Sequence, residues 1–144
     1  RIEVQHAELD DWVILRSDGS PTYNFVVVCD DAHMQVSHVV RGQDHVINTF
    51  RQVHLYDALG YDRPIFAHLP LVDGLSKRKG SASVTHYRER GFLPEAFVNY
   101  IARLGWSHGD DELFSVEELV EKFDLSNVNR ANVQYEATKL LWVY

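Results

Sequence analysis

Between Asp73 and Ser83 the chain reads Gly74-Leu75-Ser76-Lys77-Arg78-Lys79-Gly80-Ser81-Ala82. Three consecutive cations held between glycines make a short loop that can close on a polyphosphate. Lys77 and Arg78 supply charge and donors, and Gly74 and Gly80 let the backbone move. Cations placed where negative charge develops on transferring phosphates are among the strongest catalytic devices. Taken alone, such a basic run is more often a solvated turn, so its surroundings must decide. A second group is Arg41-Gly42-Gln43-Asp44-His45, which sets a guanidinium, a carboxylate and an imidazole within five residues of one another. A third, Asp30-Asp31 with His33, invites a metal. Two adjacent carboxylates and one histidine without a second cluster read better as a solvated helix end, so no protein-held metal is expected. No G-x-S-x-G nucleophile motif is present.

The elements that must position these groups follow from periodicity. Residues 11–16 read as a short strand ending at the turn Ser17-Asp18-Gly19-Ser20. Residues 24–29 are ambiguous. Asn24-Phe25-Val26-Val27-Val28-Cys29 is β-branched and strand-like by propensity, whereas Pro21 after Ser20 suits a helix start with Ser20 as the cap. Val36–Arg41 reads as a buried strand. Asp44–Leu59 reads as an amphipathic helix ended by Gly60, with Val46, Ile47, Phe50, Val53 and Leu55 as its apolar surface, and residues 65–69 form the next strand. Strand, helix and strand at this spacing fit a parallel βαβ unit, which binds ligands beyond the carboxyl ends of its strands. Arg41-Gly42 and the loop from Asp73 to Gly80 both lie at such ends. From Val84 onward the periodicity is helical, over 84–90, 94–104, 115–123 and 136–142, with Ser115-x-x-Glu118 as a capping box and Pro94 opening its helix. Trp106, Trp142 and Phe97 read as core residues.

With 144 residues, of which 45% are hydrophobic, the chain can bury a core. Fourteen Lys and Arg against 21 Asp and Glu give −7, which excludes nucleic-acid binding through a global basic field. A local patch suffices for phosphate contacts, and Arg51, Arg63, Lys77, Arg78, Lys79, Arg88 and Arg90 could supply one. The single cysteine, Cys29, rules out an intrachain disulfide and suits a reducing compartment. No apolar run is long enough to span a membrane.

These residues carry a resemblance. Leu75-Ser76-Lys77-Arg78 is similar to the second signature loop of class I aminoacyl-tRNA synthetases, commonly K-L-S-K-R in the glutamyl enzymes. Asp18-Gly19-Ser20-Pro21-Thr22-Tyr23-Asn24-Phe25 resembles D-G-x-P-T-Y-x-[FL], and Val39 to His45 resembles V-I-R-G-E-D-H. Gly91-Phe92-Leu93-Pro94-Glu95-Ala96, Leu104-Gly105-Trp106-Ser107 and Lys139-Leu140-Leu141-Trp142 are similar to G-[YF]-L-P-E-A, L-G-W-S and K-L-L-W. The blocks stand in the order of the glutamyl-tRNA synthetase family. Two departures stand out. Gly74 occupies the place of the signature's first Lys in a stretch shorter than expected, through natural shortening or missing loop residues, and Gln43 replaces a Glu. None of the eight histidines lies in the H-I-G-H motif of these enzymes, and the chain opens without Met. The reading is therefore of a fragment, inactive alone.

The resemblance implies an α/β fold: the second half of a Rossmann-like class I catalytic domain over residues 1–83, then a helical stem-contact region over 84–144. It implies a helix from Pro21-Thr22-Tyr23 into Asp30-Asp31. It implies that the parent protein, a monomeric cytoplasmic ligase without membrane attachment, uses ATP to activate L-glutamate and transfers it to tRNA. The tRNA would be bound at its acceptor end and inner stem, and Mg²⁺ would arrive with ATP. By the same resemblance Lys77 and Arg78 are catalytic, Lys77, Asp44 and His45 bind ATP, and Arg41, Tyr23 and Val27 bind the amino acid. Arg41 would recognise the side-chain carboxylate bidentately. Glutaminyl-type specificity and a non-catalytic tRNA-binding module are the alternatives.

Overall fold

A computed structural model describes residues 3–74 and 83–144. The chain packs as two compact units, through His68 and from Leu69 onward.

In the first unit, residues 11–16 form no regular strand. Only Leu15 is bridged, antiparallel to Pro21. The cap expected at Ser20 is not used, because its backbone N–H and hydroxyl both donate to Asp18 Oδ1, at 2.8 and 2.6 Å. The ambiguity over residues 24–29 resolves as helix. Helix α1 spans Tyr23–His33 after Thr22, whose hydroxyl donates to the Val13 carbonyl at 2.8 Å. Strand propensity is overridden by packing: Phe25, Val28 and Ala32 recur at helical spacing, and Val28 is fully buried with Leu55 and Tyr56.

Strand β1 (His38–Gly42) leads through a single 3-10 turn, Gln43–His45, into helix α2 (Val46–Leu59). Gly60 ends that helix in the left-handed region at φ 70°, where the Tyr61 N–H bonds the Tyr56 carbonyl at 2.9 Å. Strand β2 (Ile65–Leu69) pairs with β1. The Ile65 N–H donates to the Ser37 carbonyl at 2.9 Å, so the strands start side by side and run parallel, as the βαβ reading requires. Burial along β1 alternates, and Val40 is 43% exposed, so the strand is covered on one face and not on both as the sequence suggested. The covered face carries Val39 and Arg41.

In the second unit, β3 (Val72–Asp73) pairs in parallel with β4 (Val133–Gln134). Four helices follow the expected segments: α3 (Val84–Glu89), α4 (Pro94–Gly105), α5 (Val116–Lys122) and α6 (Ala137–Val143). The capping box forms, with Ser115 Oγ accepting from the Glu118 N–H and Glu118 Oε2 from the Ser115 N–H. Tyr87, Tyr100, Leu104 and Leu140 make the core, joined by Phe97. Buried Asn99 ties α4 to the following loop, accepting from the Phe114 N–H at 2.8 Å and donating to the Glu112 carbonyl at 2.9 Å. Trp106 is buried as expected, but Trp142 is 60% exposed. Short helix α6 buries Leu140, and a residue two positions further points to the opposite side of the helix.

Candidate active site

The C-terminal end of β1 and the turn after it bring together most of the expected site residues of the first unit. Arg41 ends on the covered face of β1 and is held from α2. Its Nη2 donates to Thr49 Oγ1 at 2.7 Å and to Gln52 Oε1 at 2.8 Å. Gln52 in turn donates from Nε2 to Asn24 Oδ1 on α1 at 2.9 Å. The Arg41 guanidinium carbon lies 5.6 Å from the centre of the Phe66 ring on β2. Two elements, α2 and β2, thus contact the cation, and α1 supports it through Gln52.

Every close partner of Arg41 is neutral. Among the described residues no carboxylate reaches ion-pair distance of it. Its Nε is buried without a partner, and both protons of Nη2 are engaged, which leaves Nη1 to meet a ligand. A half-buried guanidinium without a carboxylate at ion-pair distance among the described residues is electrostatically costly, a cost that an anionic ligand would offset. Burial dominates the nearby titrations, with the Arg41 charge as a secondary influence. The Asp31 carboxyl is pushed up by burial, with Arg41 opposing and Asp30 adding to the rise. The His68 imidazole is pushed down by burial, then by the charge of Arg41 and by His45. His68 Nε2 lies 3.0 Å from the Thr49 hydroxyl, which also reaches the His45 carbonyl at 3.3 Å. Burial raises the Tyr56 phenol as well, and its hydroxyl has no partner.

Next to Arg41, His45 Nδ1 accepts from Asn48 Nδ2 at 3.2 Å, which directs the Nε2 proton toward Asp44 Oδ2, 3.7 Å away. The Tyr23 ring stands 6.3 Å from the His45 ring at 43° and is 52% exposed, so both offer surface to a ligand. A Cβ on Gly42 would lie 2.5 Å from Asp44 Oδ1, so any larger residue there would have to push the exposed Asp44 carboxylate aside.

The family model for class I tRNA synthetases (E and Q), catalytic domain, matches residues 1–142. The chain belongs to this family. It is 58% identical over 148 residues to the glutamate–tRNA ligase of Trichlorobacter lovleyi, covering 99% of this chain and 32% of that protein. It is 59% identical over 141 residues to the glutamate–tRNA ligase of Pelobacter propionicus, covering 94% and 30%. Among solved structures, the glutamate–tRNA synthetase of Elizabethkingia anophelis superposes with a TM-score of 0.84 at 38% identity, over 95% of this chain and 32% of that one. The glutamate tRNA ligase of Elizabethkingia meningosepticum, solved in complex with its amino acid, gives 0.83 at 38% identity with the same coverage. The chain therefore spans about one third of the length of these relatives, within the mixed α/β fold of class I synthetases. ATP use is a property of that family.

Of the site residues named from sequence in this synthetase segment, Arg41, Asp44, His45 and Tyr23 come together at the β1 terminus. Val27 is partly buried, packed on the core formed by Val28, Leu55 and Tyr56. Lys77 and Arg78 lie outside the described residues. Sequence reasoning missed the groups that hold Arg41: Asn24, Thr49, Gln52 and His68. A signal existed for two of them. His45, Thr49 and Gln52 recur at i, i+4 and i+7, a polar stripe running from the turn before α2 along that helix, which the apolar pattern masked.

Proposed function

We propose that the protein carrying this chain is a glutamate–tRNA ligase and that residues 1–83 and 84–144 serve as catalytic half-domain and tRNA stem contact. A glutamate α-carboxylate oxygen attacks the α-phosphorus of ATP. The bond from that phosphorus to the bridging oxygen breaks, pyrophosphate leaves and glutamyl-adenylate forms. A hydroxyl of the tRNA's terminal ribose then attacks the acyl carbon, and AMP departs with the bonding pair. Arg41 carries the reading: a cation held by neutral acceptors on α2, with no carboxylate at ion-pair distance among the described residues and Nη1 not used by them, suits the substrate's side-chain carboxylate. Glutamine, being neutral, would leave that charge unmatched, which favours glutamate over glutaminyl-type specificity.

Tyr23 lines the amino-acid pocket and Val27 belongs to its apolar backing. Asp44 and His45 face the adenylate side. Lys77 neutralises charge on the departing pyrophosphate, assisted by Arg78. Mg²⁺ comes with ATP and no metal is held by the protein. The ligase is cytoplasmic and monomeric in this reading; no described helix is long and apolar enough to cross a membrane. The 144-residue chain by itself contains no H-I-G-H motif and forms no adenylate.

The test is exchange of labelled pyrophosphate into ATP by the full-length protein. Exchange should require glutamate and tRNA together and fall by about two orders of magnitude or more in Lys77→Ala. Exchange with glutamine but not glutamate, or tRNA binding with no exchange under any condition, would overturn the assignment.

A further inference from the structure

Gln52 is 2% exposed, one of two buried polar residues among the described residues and the one beside the candidate site. A buried amide must satisfy its donors and acceptor, and this one does so between two elements: Oε1 accepts from Arg41 on β1, and Nε2 donates to Asn24 on α1. Thr49 accepts the other Nη2 proton of Arg41. Together they hold the guanidinium through Nη2 and leave Nη1 without a hydrogen bond to a described residue, while adding no negative charge. That neutrality is the informative point. Glutamate at position 52 has nearly the same volume and would accept the same hydrogen bond, and Asn24 could rotate its amide to keep the second contact. It would also give Arg41 a permanent buried counter-ion. A resident carboxylate would then occupy the electrostatic role that the structure leaves open.

We propose that Gln52, seconded by Thr49, is a positioning residue that sets the selectivity of Arg41 for a carboxylate ligand, orienting the guanidinium through a neutral acceptor so that its charge stays available to substrate. The inference rests on the reading of Arg41 as the carboxylate receptor. It adds that specificity lies in the layer behind the cation as well as in the cation itself. The substitution that separates orientation from charge is Gln52→Glu. Gln52→Met, similar in length and without an acceptor for Arg41, removes orientation and leaves the charge.

The experiment uses tRNA-dependent pyrophosphate exchange in the full-length protein, with glutamate and ATP varied separately and glutamine as the competing amino acid. Gln52→Glu should raise the glutamate KM at least tenfold, leave the ATP KM within twofold, and shrink the preference for glutamate over glutamine at least tenfold. Gln52→Met should raise the glutamate KM several-fold while the preference for glutamate persists, because the charge is still unpaired. If Gln52→Glu fails to fold, as judged by its melting transition, Gln52→Met decides: a glutamate KM within twofold of the parent overturns the proposal. So does a folded Gln52→Glu protein with unchanged glutamate KM and unchanged preference. Arg41→Met is the control on the underlying reading. Loss of glutamate-dependent exchange in Arg41→Met with no effect from either Gln52 variant sinks this inference alone. Unchanged glutamate use in Arg41→Met sinks the carboxylate-receptor reading and this inference with it.

Discussion

Replacing Arg41 by methionine should nearly abolish glutamate activation while leaving the fold almost as stable as before. The two effects draw on different atoms. Methionine fills much of the same volume, and the losses to the fold are specific: Gln52 Oε1 is left without its donor, while Thr49 keeps His68. An unmet buried acceptor costs about 1–3 kcal/mol. Against this, the substitution removes an unpartnered buried Nε–H, a penalty of about the same 1–3 kcal/mol, and relieves the desolvation of a cation with no counter-ion. The balance is within about 1 kcal/mol of zero. The loss to substrate is not offset. One nitrogen, Nη1, meets the carboxylate, and hydrogen bonds involving charged groups contribute about 1.5–3 kcal/mol, rising to about 3–5 kcal/mol when a buried charge loses its partner. At about 1.4 kcal/mol per decade, kcat/KM for glutamate should fall roughly 10²- to 10³-fold. The assay pairs tRNA-dependent pyrophosphate exchange, with glutamate varied at saturating ATP, with urea unfolding of the same preparation. A fall in kcat/KM smaller than about threefold would refute the receptor role. A destabilisation above about 3 kcal/mol with activity lost in proportion would instead make Arg41 a structural residue.

Other outcomes follow from the same geometry. Asn99→Leu should destabilise the second unit by about 2–3 kcal/mol in urea unfolding, since the Phe114 N–H and the Glu112 carbonyl both lose their partner. A change under about 0.5 kcal/mol would mean water replaces the amide. The pH dependence of stability should carry a contribution from His68. Its folded-state value lies below the ordinary 6.5 through burial, then Arg41, then His45. Between that lowered value and about 6.5 the unfolded chain therefore binds more protons, so the contribution is fully present above about pH 6.5 and is lost as the pH falls through the window below it. Urea midpoints from about pH 5 to pH 8 should show this slope, and His68→Gln should flatten it. An unchanged slope in that variant would place the titration elsewhere.

How much was legible in the chain depended on the range of the interaction concerned. The helices at Pro94–Gly105 and Val116–Lys122 are written locally, in a first-turn proline, a capping box and an apolar repeat, and they form where that pattern places them. The motif blocks from Asp18 to Trp142 are likewise linear, and they sufficed for the family. Local preference misled at Val26-Val27-Val28, where β-branched residues lie in helix α1 because Val28 finds a buried place against Leu55 and Tyr56. It misled again at Trp142, whose face of α6 is set by which neighbours cover Leu140.

The sequence by itself determined the family, the parallel strand–helix–strand unit and a cation at the end of its first strand, because motif order and periodicity are properties of the linear chain. Only the tertiary structure decided what stands around that cation. Asn24, Thr49, Gln52 and His68 come from three elements separated by up to 44 positions, the span from Asn24 to His68. Their neutrality toward Arg41 matters only once they lie within hydrogen-bond reach of it or of one another. Hydrogen bonds act over about 3 Å and require direction, and no pattern of residue types along a chain specifies which distant side chains will meet at that distance.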